Sequence, residues 1–303
     1  MAVPTTPQRS YTCPWCKTTS DGTQISCPGC GVSIDVHQIA TKSGWTELPG
    51  RTDMAKIQFG DSYCQVEGEF VPVADMNLAS GDSVYFSHHV LLWMDTQVKV
   101  KGMSLKGAWK RMLSGMPLIM TEAHGPGRIA FSRDRSGELI ALPIQPGQSI
   151  DVKEHLFLVA TGHVTYDWFS TGIWFKTKNG DDTETHYPVG SFMDRFSAPN
   201  APGLLLLHAG GNAFIRALDP GQTILIKPTS LLFKDPTVRM QLHLETPAAS
   251  ASGWSGLWTS WNNRHLWLRL HGPGRVAVQS AYEPMEDNGR AIVGDSGSTQ
   301  RTW

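Results

Sequence analysis

Cys13-Pro14-Trp15-Cys16 and Cys27-Pro28-Gly29-Cys30-Gly31 are two C-x2-C knuckles with ten residues between them, the donor set and spacing of a tetrahedral zinc ion. Each knuckle lets two sulfurs from one tight turn reach the same ion at about 2.3 Å, and Gly31 supplies a residue able to take positive φ after the second pair. Binding needs thiolates, so the metal fixes charge state and local fold together. About thirty residues cannot bury enough apolar surface to offset chain entropy, whereas a structural zinc ion contributes about 10 kcal/mol or more at neutral pH. Two disulfides, or chance spacing, are the competing readings, and the paired knuckles favour zinc. Four thiolates leave the ion no open position, so Cys13, Cys16, Cys27 and Cys30 are expected to be structural ligands of one Zn2+ rather than a catalytic centre.

The same segment carries Arg9, Lys17 and Lys42 against Asp21 and Asp35, without the basic stripe that a phosphate backbone requires. Nucleic acid is therefore not the expected ligand, and Trp15 either contacts another protein or packs over the ribbon's own small core. Cys64 falls in an alternating segment and reads as a buried strand thiol in a reducing cytoplasm. The histidines invite a metal-enzyme reading of cupin type, especially His88, His89, His155, His243 and His265. That site needs two histidines on one strand face, yet His88 and His89 are adjacent and no His-x-His occurs. Nor does the chain contain a nucleophile elbow or a Walker loop, and its Gly-Pro-Gly turns open strands where anion-binding glycine loops open helices.

The positioning elements are strands. Gly81-Asp82-Ser83-Val84-Tyr85-Phe86, Gly147-Gln148-Ser149-Ile150-Asp151-Val152 and Gly221-Gln222-Thr223-Ile224-Leu225-Ile226 align without gaps at offsets of 66 and 74 residues. In each, a glycine turn leads into a strand whose apolar residues keep one phase, and a second apolar run follows at 90–94, 156–160 and 231–233. A second element recurs out of step, at His124-Gly125-Pro126-Gly127-Arg128, His208-Ala209-Gly210-Gly211-Asn212 and His271-Gly272-Pro273-Gly274-Arg275. The three histidines read as copies of one turn-side hydrogen bond, and the C-terminal strand 275–280 is expected to close the first repeat at strand 82–87. The fold class that follows is all-β: three repeated antiparallel sandwich or barrel units with a small zinc ribbon.

The clearest helical signal lies at 104–115, where Leu105, Trp109, Met112 and Leu113 share a face away from Lys106, Lys110 and Arg111. A short basic amphipathic helix can cover a β-core, form a subunit contact or lie on a membrane. Trp254, Trp258, Trp261 and Trp267 fit either a core or subunit interface or a stacking platform; with only Arg264 nearby, nucleobases are disfavoured. The chain of 303 residues has a net charge of −1, which gives no steer toward a polyanion. Residues 1–10 show no secretory pattern, and the longest aliphatic run, 204–207, is far short of the about twenty residues of a membrane span. The organisation expected is a ribbon over 1–40, a linker over 41–53, a repeated β-domain over 54–283 and a disordered tail over 284–303.

With Arg111-Met112-Leu113-Ser114-Gly115 followed by His124-Gly125-Pro126-Gly127-Arg128, and with the order of the glycine turns, residues 50–283 resemble the family named for altered inheritance of mitochondria protein twenty-four. The resemblance implies a β-rich fold related to the tryptophan RNA-binding attenuation protein superfamily, a homotrimer in bacterial members, and no established enzymatic chemistry. Mitochondrial members are associated with inner-membrane organisation. The ribbon and the tryptophan-rich segment depart from the simplest bacterial members. The expected function is a cytoplasmic, non-enzymatic trimeric scaffold that binds a protein through its ribbon. A membrane organiser working through residues 105–113 and a cupin-like metal enzyme are the alternatives.

Overall fold

The structure is a computed structural model that describes residues 10–13, 16–21, 27–30, 45–48, 55–68, 70–103, 120–179, 181–245, 265–282, 291–292 and 299–301. Among them the elements are strands with two single-turn 3-10 helices, His88–Val90 and Pro228–Ser230. The expected amphipathic helix at 104–115 lies outside the described residues, as do Trp15, Gly31, Trp254, Trp258 and Trp261. The chain divides into two interleaved compact units. The first comprises 1–148, 156–165 and 197–215, and the second 149–155, 166–196 and 216–303, so the stretch 54–283 is shared between them.

The first unit holds a five-stranded sheet in the order Ala55–Phe59, Ser62–Glu67, Val73–Leu78, Gly127–Ser132, Leu91–Met94. It also holds a six-stranded one in the order Glu138–Ile144, Gly203–Ala209, Phe157–Thr161, Ser83–Ser87, Met120–His124, Lys99–Gly102. Alternation explains the core. In Ser62–Glu67 every second residue is buried, which sends Cys64 and Val66 inward, as expected for that thiol. They meet Met76, Ile129, Leu158 and Leu206 around Phe86 and Phe131, whose ring centroids are 4.7 Å apart. Full burial of each phenyl group contributes about 1.5–3 kcal/mol. Within the stretch 41–53, read as a linker, Thr46–Leu48 forms a strand against residues 213–215.

The second unit is built on strands in the order Thr165–Ser170, Phe192–Ser197, Ser149–Lys153, Leu231–Lys234, Gly274–Gln279, Ala213–Leu218. A three-stranded sheet runs Asp182–His186, Phe175–Asn179, Ala291–Ile292, and a four-stranded one runs Thr223–Ile226, His265–His271, Arg239–Glu245, Thr299–Arg301. Two of these strands, Ala291–Ile292 and Thr299–Arg301, lie in the stretch 284–303 that the sequence reads as a tail; each extends an existing sheet edge.

The glycine turns recur physically. Gly81, Gly147 and Gly221 have φ of +96°, +81° and +82°, and in each turn the backbone N–H of the residue after the glycine donates to a carbonyl, Asp82 to Ala79, Gln148 to Gln145 and Gln222 to Asp219. Pro146 and Pro220 ahead of a positive-φ glycine are the residues that a type II turn favours.

The second recurring element is corrected at one of its three places. His124 and His271 end their strands just before a Gly-Pro turn, but His208 lies inside Gly203–Ala209 and is buried. The turn before that strand is Ala201-Pro202-Gly203, which shares only its Pro-Gly with the others. The expected closure fails as well. Gly274–Gln279 pairs with Leu231–Lys234, just as Gly127–Ser132 pairs with Leu91–Met94, while Ser83–Ser87 is taken by Met120–His124 and Phe157–Thr161. Leu231–Lys234 lies about forty residues before Gly274, a far shorter loop to close than the one back to Ser83–Ser87.

Candidate metal centre

The first knuckle is set by a small hairpin in which Ser10–Thr12 pairs with Thr19–Asp21. The N–H of Cys13 donates to the Thr18 carbonyl and the N–H of Lys17 to the Cys13 carbonyl, both at 2.9 Å, and Lys17 takes φ of +60° to close the turn. This curl turns Cys13 and Cys16 toward the second knuckle. Sγ of Cys13 lies 3.6 Å from that of Cys30, and Sγ of Cys16 lies 3.5 Å from that of Cys27. All four sulfurs fall within 4.8 Å of one another. Tetrahedral ligands at about 2.3 Å from one ion stand about 3.8 Å apart, so these cysteines could hold a metal ion of zinc's size. Cys13 and Cys27 are buried, Cys30 is half-buried and Cys16 is exposed.

Electrostatics favour the ligand form. Burial pushes the Cys16 thiol up, but hydrogen bonds with Thr18, through side chain and backbone, and with Cys27 and Cys30 outweigh it and bring the pKa down from 9.0 to about 6. At neutral pH the sulfur is then mostly thiolate, the state that coordinates metal.

One contributor was missed in the sequence. A Cβ on Gly29 would stand 2.3 Å from Thr18 Oγ1 and 3.0 Å from the Cys16 sulfur. The second knuckle packs on the first only because position 29 has no side chain, and a glycine inside a C-x2-C loop was the signal available. Gly29→Ala is expected to weaken zinc affinity by about tenfold or more, the usual scale for disturbing a ligand's surroundings; competition with a chromogenic chelator measures it.

The histidines are dispersed. His88 and His89 lie on the exposed 3-10 turn, with His88 Nδ1 3.2 Å from the Thr121 hydroxyl. His155 is exposed in a turn with φ of +66°, and His243 Nδ1 lies 2.8 Å from an Arg269 guanidinium nitrogen. His265 begins the strand that ends at His271. Among the described residues, the four cysteines are the one group of three or more His, Cys, Asp or Glu side chains close enough to share an ion.

The repeated histidines do not share a hydrogen bond. His271 meets the Thr223 hydroxyl at 2.9 Å and the Gln241 amide oxygen at 3.2 Å, whereas His124 faces Glu122 at 3.2 Å. His208 donates from Nε2 to the Arg135 carbonyl at 3.1 Å. Burial, then the charge of Arg133, hold the His208 pKa below its ordinary 6.5, although the bond to the Arg135 carbonyl opposes them. The folded state therefore keeps this ring neutral while the unfolded chain protonates it. Its contribution to stability is complete above about pH 6.5 and is lost as the pH falls below that value. Urea unfolding at pH 7.5 and 5.5 is expected to show this acid loss, and His208→Gln, which can still donate to the carbonyl, to reduce it.

No helix among the described residues is long and apolar enough to cross a membrane. The family model described as mitochondrial biogenesis AIM24 matches residues 64–281 of this chain. The crystal structure of protein SPYM3_0169 from Streptococcus pyogenes superposes with a TM-score of 0.51 at 18% identity, covering 73% of this chain and 94% of that one. At this identity the likeness speaks for the fold alone. Comparison with curated proteins gave no match.

Proposed function

Because this chain belongs to the mitochondrial biogenesis AIM24 family, we propose that it is a non-enzymatic, oligomeric β-scaffold that acts by binding another protein through an N-terminal ribbon held by one structural zinc ion. The observation that supports the reading is the four-sulfur cluster of Cys13, Cys16, Cys27 and Cys30, whose sulfurs all lie within 4.8 Å of one another. A bound ion would supply charge neutralisation and a fixed fold to the ribbon, since four thiolates leave no position for a substrate or water. Cytoplasm, where thiols stay reduced, is the compartment that suits the reading.

Assembly gives the ribbon its use. In a homotrimer three ribbons surround one rigid core, so contacts that are weak singly add through effective concentration. The test is capture of a partner by the full chain and by its Cys13→Ser/Cys16→Ser variant, with the mass of each followed by sedimentation. Loss of capture with the oligomer intact supports the reading. Equal capture by the variant removes the ribbon from it.

A further inference from the structure

In the first unit the turn around Gly60, from the five-stranded sheet, and the turns at 81–83, 161–163 and 202–204, from the six-stranded one, line a cavity of about 380 Å³. That volume falls in the range of small-molecule pockets. Ile57, Phe59, Pro202 and Leu204 give it apolar walls, and Asp82 and Ser83 give it polar groups. Among the described residues that line it, Asp82 is the one carboxylate, the exposed His163 the one imidazole, and there is no lysine or arginine.

Asp82 departs from the other copies of its turn. In those, the side chain after the glycine caps its own turn: Gln148 Oε1 accepts from the Gln145 N–H at 3.1 Å and Gln222 Oε1 from the Asp219 N–H at 2.9 Å. In the first copy the Ala79 N–H donates instead to the hydroxyl of buried Ser62 at 2.8 Å, and that hydroxyl donates to Asp82 Oδ2 at 2.5 Å. Ser62 therefore takes over the cap, and turn closure does not need a carboxylate at position 82. The same hydroxyl fixes the orientation of the half-buried carboxylate and leaves Oδ1 without a partner among the described residues. A Cβ at Gly60 would stand 3.0 Å from both carboxylate oxygens, so the approach to Asp82 is open because position 60 has no side chain.

We propose that this cavity binds a small organic ammonium, an amine with an apolar body, whose charged head pairs with Asp82. A carboxylate held in place without a counter-charge, beside apolar walls, is complementary to a cation that brings hydrophobic surface with it. An ammonium has three donors and no acceptor, which matches Asp82 Oδ1 and the Ser83 hydroxyl. A metal ion does not fit the donor set: among the described residues only the four cysteines stand close enough in a group of three or more to share one. A ligand with a carboxylate of its own, an amino acid included, would set a second anion beside Asp82 with no lysine or arginine to meet it. The ligand adds to the scaffold reading and depends on neither the ribbon nor the assembly.

Heteronuclear NMR titration of the full chain at pH 8 tests it, with phenethylammonium as the probe and phenethyl alcohol, hydrocinnamate and Ca2+ as comparisons. At that pH an alkylamine is charged and an ordinary imidazole is neutral. The ammonium is expected to give saturable shifts at the amides of Gly60, Asp82 and Gly162, and the alcohol and the carboxylate to bind about tenfold or more weaker. Asp82→Asn keeps an oxygen for Ser62 and is expected to lose that advantage while binding the alcohol as the wild type does, which separates lost charge from lost fold. Asp82→Gln, the side chain of the other two copies, is a second neutral variant with the same expectation. No saturable shift at millimolar ammonium, equal binding of the alcohol or hydrocinnamate, Ca2+ shifting the same amides at lower concentration, or undiminished ammonium binding by both variants overturns the inference.

Discussion

Replacing Cys13 and Cys16 by serine is expected to unfold the ribbon and leave the β-body intact. The two sulfurs supply half of the donor set, and serine hydroxyls do not replace thiolates as zinc ligands. The ribbon has little else to hold it: its described strands, Ser10–Thr12 and Thr19–Asp21, make one three-residue pairing. Such a hairpin is marginal alone, so losing about 10 kcal/mol of metal binding leaves nothing to offset chain entropy. The body has its own core around Phe86 and Phe131, in which none of the ribbon's described residues takes part. Heteronuclear NMR of the variant should show the ribbon resonances collapsed to random-coil positions and the dispersed strand resonances unmoved, and a strong chelator should produce the same spectrum from the wild type. Dispersed ribbon resonances in the zinc-free variant would show that the segment folds by packing.

The second large effect lies in the second unit. The Asp151 carboxylate is fully buried, with one oxygen 2.8 Å from Lys234 Nζ and the pair bridged by the Arg195 guanidinium at 2.6 and 3.0 Å. Lys234 is itself only 4% exposed. Asp151→Ala removes the anion and leaves a buried ammonium with the Asp235 carbonyl at 3.3 Å but no counter-charge from Asp151, which costs about 3–5 kcal/mol. The double variant Asp151→Leu/Lys234→Met removes both desolvation penalties at similar volume and is expected to lie within about 1 kcal/mol of wild type, or above it. Urea unfolding of the wild type and the two variants measures the difference. Equal losses in the single and double variants would mean that the site is held by shape and not by charge.

How much of this was legible follows from the range of each signal. The cysteine knuckles and the turns at Gly81, Gly147 and Gly221 are local patterns; the structure brings the four sulfurs close together and closes the three turns, because a tight turn is specified by residues adjacent in sequence. The all-β class follows in the same way from alternation such as that around Cys64. His208 was misplaced because its Ala-Gly-Gly turn resembles Gly-Pro-Gly in composition while serving a different connection. The partner of a strand is not local information: Ser83–Ser87 meets Phe157–Thr161 across some seventy residues, and Asp151 finds Lys234 across 83. Two interleaved units are the sum of such pairings, and the closure expected at strand 275–280 failed for the same reason. Gly29 sat inside a motif already identified, but its importance lies in a contact with Thr18 that no spacing shows.

Metal content measured on the full chain, and on a chain beginning at Ala55, tests most directly whether sulfur in the ribbon is the seat of this protein's metal chemistry. One equivalent of zinc in the first and none in the second is the predicted result. Zinc or another transition metal retained stoichiometrically by the truncated chain would place a site among the histidines of the body and contradict a purely structural role.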